Sequence, residues 1–98
     1  MHVVQDSYET GIPTQFSAVR IFQDEWVCAV PGAGVGTVPL FQDARVQWAI
    51  EKAGGVAGKR ILELGPLEGA HTYMLSQAGA TSVLGLEANT RCFLKTLL

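Results

Sequence analysis

The sequence predicts an α/β fold, the N-terminal part of a doubly wound parallel sheet, with the sheet incomplete over 98 residues. Three features support this prediction. An apolar run at residues 60–64 carries an acid, Glu63, and is followed by a glycine turn at residues 65–69. A helical pattern at residues 70–78 ends at Gly79, and a second apolar run at residues 82–87 ends in Glu87. Strand, turn, helix and strand in this order form a βαβ unit with two parallel strands.

The segments before this unit are irregular or weakly helical. Residues 1–12 show no clear period and are expected to be an irregular arm. The apolar spacing of residues 14–27 indicates a short amphipathic helix, broken near Gln23. Residues 31–39 hold three glycines between two prolines, which favours a connecting loop over a phosphate-binding loop, because a phosphate loop leads into a helix and Pro39 follows instead.

An amphipathic helix is predicted between the loop and the first strand. Asp43 is a good N-cap, apolar residues recur at three- and four-residue spacing up to Ala53, and two glycines close the helix. We expect this helix to lie against the sheet, with Trp26 and Trp48 as core anchors. The first strand is expected to be buried on both faces, as parallel strands usually are.

Composition narrows the class of protein and its partners. Apolar content is 48% and the net charge is −2, so nothing indicates binding to nucleic acid or an anionic membrane. No apolar run approaches a membrane span, and the N-terminus lacks a signal pattern, so a cytoplasmic location is expected. Cys28 and Cys92 are expected to be buried free thiols, and no metal site is expected because neither histidine has ligand spacing to them.

The glycine turn and the two strand-end acids are the candidate binding residues. Gly65 allows a sharp bend, Pro66 stiffens it, and Gly69 lets a ligand approach the first amides of the helix, which favour a carboxylate. Glu63 lies near the mouth of the crevice. Glu87, at the end of the second strand, is placed to accept hydrogen bonds from ribose hydroxyls.

Two cofactor classes share this layout. A dinucleotide site needs a glycine at the position of Leu67, so that bare backbone can touch a pyrophosphate, and the leucine argues against NAD or FAD. The segment ELGPLEG at residues 63–69 resembles the E/D-x-G-x-G-x-G motif of class I, Rossmann-like S-adenosylmethionine-dependent methyltransferases, departing from it at Leu67. VLGLEAN after it and VPLFQD before it resemble one branch of that class, and the resemblance covers roughly residues 39–97.

The resemblance implies a small-molecule cofactor, S-adenosyl-L-methionine, and a role for each matching residue. Gly65, Pro66 and Gly69 would wrap the methionine part, and Glu63 would lie near its ammonium group. Glu87 would bind the ribose, with Ala88 and Asn89 beside the adenosine. In this class the acceptor site follows the third and fourth strands, so the methyl acceptor and the catalytic residues stay unassigned. The chain is expected to be a fragment, inactive and marginally stable alone.

Other interpretations of the same residues stay open. We expect residues 1–38 to form an N-terminal arm and loop, and residues 39–98 to form a partial cofactor-binding domain. That domain could instead belong to an NAD-dependent oxidoreductase or to a non-catalytic interaction module. Glu87 could be a solvated strand-end acid, and Glu63 a helix cap. We expect Glu68 to face solvent and His71 to lie on the helix surface rather than act as a general base.

Overall fold

The computed structural model describes residues 10–14 and 16–98 as a mixed α/β chain. Within these residues, four α-helices accompany a two-stranded parallel sheet. The α-helices are α1 (Ser17–Ile21), α2 (Ala44–Lys52), α3 (Ala70–Gln77) and α4 (Thr90–Thr96), and the strands are β1 (Arg60–Leu64) and β2 (Ser82–Leu86). Two 3₁₀ helices span Gln23–Glu25 and Leu40–Gln42. The arm predicted for residues 1–12 falls outside the described residues except at 10–12, which form no helix or strand.

The βαβ unit predicted from the sequence is confirmed. Strands β1 and β2 pair in parallel, with Arg60 opposite Ser82 and Leu64 opposite Leu86. Helix α3 connects them and packs on β2 and on the 3₁₀ helix Leu40–Gln42. The glycine turn therefore lies at the carboxyl end of β1, beside the carboxyl end of β2.

One face of the sheet is open to solvent, so the prediction that β1 is buried on both faces is wrong. Leu64 is 74% exposed, and Leu62, Leu84 and Leu86 are also more than half exposed. The opposite face is covered by α3, since the Thr72 hydroxyl of that helix donates to the Glu63 carboxylate. Within the described residues, no helix packs over the four leucines, and their apolar surface stays in contact with water.

Helix α2 begins as predicted but packs differently. Asp43 is its N-cap, accepting a hydrogen bond from the backbone N–H of Arg45 at 2.9 Å. None of the helical residues is buried, and the main contact of α2 is with α3 rather than with the sheet. Trp48 is 61% exposed, so it is not the core anchor that its size suggested.

The segment before α2 forms a small cluster of its own. The predicted short helix is confirmed as α1, which is followed by a 3₁₀ turn at the expected break near Gln23. The half-buried Trp26 donates its indole N–H to the carbonyl of Val19 at 3.0 Å. Cys28 is fully buried and forms an isolated β-bridge with Val38. Residues 31–39 form a loop, as predicted. Among the described residues, no helix is long and apolar enough to cross a membrane.

Candidate functional site

The glycine turn bends sharply between β1 and α3. Gly65 and Gly69 adopt φ angles of 71° and 89°, a region that side chains disfavour, which explains the need for glycine at both positions. The N–H of Gly65 donates to the carbonyl of Leu86 at 2.9 Å, so the turn is tied to the neighbouring strand. Pro66 is buried against Gly85, where an added Cβ would lie 3.0 Å from the proline ring.

Leu67 occupies a backbone conformation usually reserved for glycine. Its φ is 55°, and it is the one non-glycine residue with positive φ in the part of the chain that the structure describes. Its N–H donates to Oε1 of Glu87 at 2.9 Å. The turn and the acid at the end of β2, which are 20 residues apart in sequence, are therefore in direct contact.

The other predicted site residues surround this contact. Glu63 is half-buried and accepts the Thr72 hydroxyl bond, which ties it to α3. Ala88 and Asn89 are exposed just after β2, and the Asn89 side chain caps α4 by accepting from the N–H of Cys92 at 2.9 Å. All the predicted positions thus lie at the carboxyl ends of the two strands; these are Glu63, Gly65, Pro66, Gly69, Glu87, Ala88 and Asn89.

Two of the pockets that border the glycine turn are lined in part by Pro66. One, of about 410 Å³, is lined by Pro66, Gly69 and Glu87 together with Phe93 and Thr96 of α4. The other, of about 300 Å³, is lined by Gly65, Pro66 and Leu67 and by side chains from α2 and α3. The turn can therefore meet a ligand on either of these two surfaces.

Glu68 is buried, which contradicts the prediction that it faces solvent. Its carboxylate accepts hydrogen bonds from the backbone N–H groups of Val27 and Cys28 and from Nζ of Lys95 at 2.6 Å. Burial by itself raises the pKa of Glu68, but the Cys28 N–H and the Lys95 ammonium more than offset this and hold the pKa below its ordinary value. The acid joins the turn to the N-terminal segment and to α4. No local pattern predicts this, because its partners are distant in sequence.

His71 also has a partner that the sequence did not indicate. It lies in the first turn of α3, and its Nε2 is 2.9 Å from Oδ2 of Asp43, the N-cap of α2. Its side chain is about one-third exposed and lines the 300 Å³ pocket, so it is not a simple surface residue of the helix. Arg45 binds the same carboxylate and lines the same pocket. In the sequence, the D-x-R pattern at the start of α2 was the only indication of the contact between Asp43 and Arg45.

Cys28 borders this pocket as an inert thiol. Both cysteines are buried and free, as predicted. Burial, followed by the neighbouring Glu68 carboxylate, raises the pKa of the Cys28 thiol to about 12. Thiolate, the nucleophilic form, is therefore scarce at neutral pH, and the pocket does not carry cysteine chemistry.

No protein-family model, curated protein or solved structure matches this sequence. The geometry of the glycine turn and its surroundings is therefore the basis for a functional conclusion. That geometry combines a bent, partly bare backbone, an acid held against it, and two pockets.

Proposed function

We propose that this chain binds S-adenosyl-L-methionine through its glycine turn, as part of a class I, Rossmann-like methyltransferase. The observation that carries the proposal is the 2.9 Å hydrogen bond from the Leu67 N–H to Glu87. It holds the carboxylate of the second strand next to the bend after the first strand. A nucleoside ligand that spans the ends of two parallel strands needs this proximity of turn and acid.

Glu87 has capacity for a ribose in addition to its protein contacts. An ionised carboxylate offers about four acceptor sites, and Glu87 uses two of them for the N–H groups of Leu67 and Asn89. The adjacent ribose hydroxyls would take the others. The exposed Ala88 and Asn89 would lie beside the adenosine, and the half-buried Glu63 near the ammonium group of the methionine part.

The chemistry assigned to the complete site is methyl transfer. The sulfonium of the cofactor is an activated leaving group, so the protein mainly orients the acceptor for in-line attack at the methyl carbon, and no metal is needed. The chain would supply the residues that bind the cofactor in that reaction, and the protein would be cytoplasmic. It leaves the acceptor and the catalytic residues unassigned.

Leu67 separates this proposal from a dinucleotide site. At this position a dinucleotide-binding turn has glycine and presents bare backbone to the pyrophosphate, whereas here Leu67 occupies it and lines the pocket beside the turn. A non-catalytic interaction module, the remaining alternative, requires no adenosine ligand at all. Ligand binding therefore distinguishes the three.

The experiment is isothermal titration of the chain with S-adenosylhomocysteine and, separately, with NADH. We expect S-adenosylhomocysteine to bind and NADH not to bind. Glu87→Gln should weaken the binding by roughly tenfold or more, because hydrogen bonds to a charged group contribute about 1.5–3 kcal/mol. Glu51 is an exposed acid on α2, so Glu51→Gln is the matched control and should leave the affinity for S-adenosylhomocysteine unchanged. Unchanged affinity in Glu87→Gln would remove the ribose assignment, and the absence of any binding would remove the proposal.

A further inference from the structure

The 300 Å³ pocket beside the glycine turn is distinguished by two basic side chains from different helices. Arg45, in the first turn of α2, and His71, in the first turn of α3, line it together with residues 65–67 of the turn. The uncharged part of the lining includes Leu40 and Ala70. A ligand that fills this pocket meets the bend of the backbone and both basic groups at once.

A single buried carboxylate orients both basic groups. Asp43, whose side chain is 8% exposed, accepts from Nε of Arg45 at 3.0 Å and from Nη2 of Arg45 at 2.6 Å. Nε2 of His71 lies 2.9 Å from the same carboxylate. The hydrogen bonds from Arg45, and then that from His71, hold the pKa of Asp43 well below its ordinary value, so it stays ionised at neutral pH.

Both basic side chains keep donors or ring atoms for a ligand. A guanidinium carries five N–H groups, and Asp43 engages only Nε and Nη2. Nη1 of Arg45 has no hydrogen-bond partner among the described residues, and the side chain is 80% exposed. Nδ1 of His71 likewise has no partner within the part of the chain that the structure describes. Asp43 thus fixes the orientation of the two groups without using all of their capacity.

We propose that Arg45 binds the carboxylate of the amino-acid part of the ligand, with His71 beside it and Asp43 as the positioning residue. This inference rests on the proposed function, because the carboxylate is that of the methionine part of the cofactor. Guanidinium groups bind carboxylates through paired N–H donors, which fixes orientation as well as adding affinity. Since Asp43 neutralises much of the local charge, recognition depends on this short-range geometry rather than on a long-range field.

The test compares two ligands that share the nucleoside and differ in the amino-acid part. S-adenosylhomocysteine carries the carboxylate, and 5′-methylthioadenosine lacks it. In isothermal titrations, Arg45→Gln should weaken S-adenosylhomocysteine binding by roughly tenfold or more and leave 5′-methylthioadenosine binding unchanged. Arg45→Lys, which keeps the charge but loses the paired donors, should give a smaller loss. Arg60→Gln, an exposed arginine at the opposite end of β1, is the matched control and should affect neither ligand.

The outcomes separate this inference from the proposed function. Equal losses for both ligands in Arg45→Gln would assign Arg45 a structural role only and would overturn the inference, as would unchanged binding of S-adenosylhomocysteine. A wild-type chain that binds 5′-methylthioadenosine as tightly as S-adenosylhomocysteine would also overturn it, while leaving the nucleoside site intact. A wild-type chain that binds neither ligand would remove the proposed function itself.

Discussion

Nζ of Lys95 lies 2.6 Å from Oε2 of Glu68, and both side chains are almost completely buried, at 4% and 0% exposure. The same ammonium donates to the carbonyl of Glu25 at 2.7 Å and lies over the ring of Trp26. One ion pair therefore joins the glycine turn, helix α4 and the N-terminal segment. Because the turn is also the candidate cofactor site, the pair holds that site in position against α4 and the N-terminal segment.

Removing the lysine of this pair should destabilise the chain strongly. Breaking a buried ion pair typically costs about 3–5 kcal/mol, because the remaining charge is left without compensation. We expect Lys95→Met to lower the free energy of unfolding by about 3 kcal/mol in urea titrations. The lower end of the range applies because Glu68 keeps the N–H donors of Val27 and Cys28.

An exposed ion pair on the same helix provides the control. Arg91 binds Glu25 at 2.6 Å, but the two side chains are 58% and 39% exposed. Exposed pairs contribute little to stability, so Arg91→Met should cost far less than Lys95→Met. Similar losses in the two variants would show that the Lys95 pair is no stronger than a surface pair.

The pH dependence of stability should report the ionisation of Glu68. Its pKa in the folded chain is lower than the ordinary value of 4.5, so the folded state favours the ionised form. The resulting stability is fully present above about pH 4.5 and is lost as the pH falls toward the folded pKa. Glu68→Gln should therefore flatten the decline in unfolding free energy below pH 4.5, measured by urea titration at several pH values. An identical slope in the two proteins would contradict the assignment.

The chain should be more stable with glycine than with alanine at position 67. An L-residue with left-handed backbone geometry costs roughly 1–2 kcal/mol, and Leu67 has a φ of 55°. Leu67→Ala keeps this strain and Leu67→Gly releases it, so glycine should exceed alanine by about 1 kcal/mol in unfolding free energy. At an ordinary backbone position the order is reversed, since glycine costs more entropy on folding. Alanine equal to or better than glycine would therefore rule out strain at the turn.

Two glycines in the loop at residues 31–39 form a matched pair. Gly34 and Gly36 have φ angles of 68° and 71°, so alanine at either position incurs a similar backbone penalty of roughly 1–2 kcal/mol. At Gly36 a Cβ would also lie 1.7 Å from the Cys28 carbonyl oxygen, whereas at Gly34 nothing lies within 4 Å. We expect Gly36→Ala to cost about 4 kcal/mol or more in thermal or urea unfolding. Equal effects of the two substitutions would mean that the loop does not pack on Cys28.

Burial was the property that the sequence predicted least well. Residues 62 and 64 were expected to be covered because parallel strands usually are, yet Leu62 and Leu64 are exposed on the open face. Trp48 was expected inside and Glu68 outside, and both expectations were wrong. Each error follows from judging burial by residue type, whereas burial depends on which other elements pack on that residue.

The sequence by itself determined the order and nearly all the bounds of the βαβ unit, and the N-cap of α2. These features depend on local chemistry: apolar runs, glycines with positive φ, and the Asp43 side chain, which accepts from the N–H group two residues away. Only the tertiary structure decided that Glu68 is paired with Lys95, that Asp43 holds both Arg45 and His71, and that Glu87 accepts from Leu67. Most of these contacts join groups 20 or more residues apart, and no local pattern encodes which distant donor a carboxylate will meet.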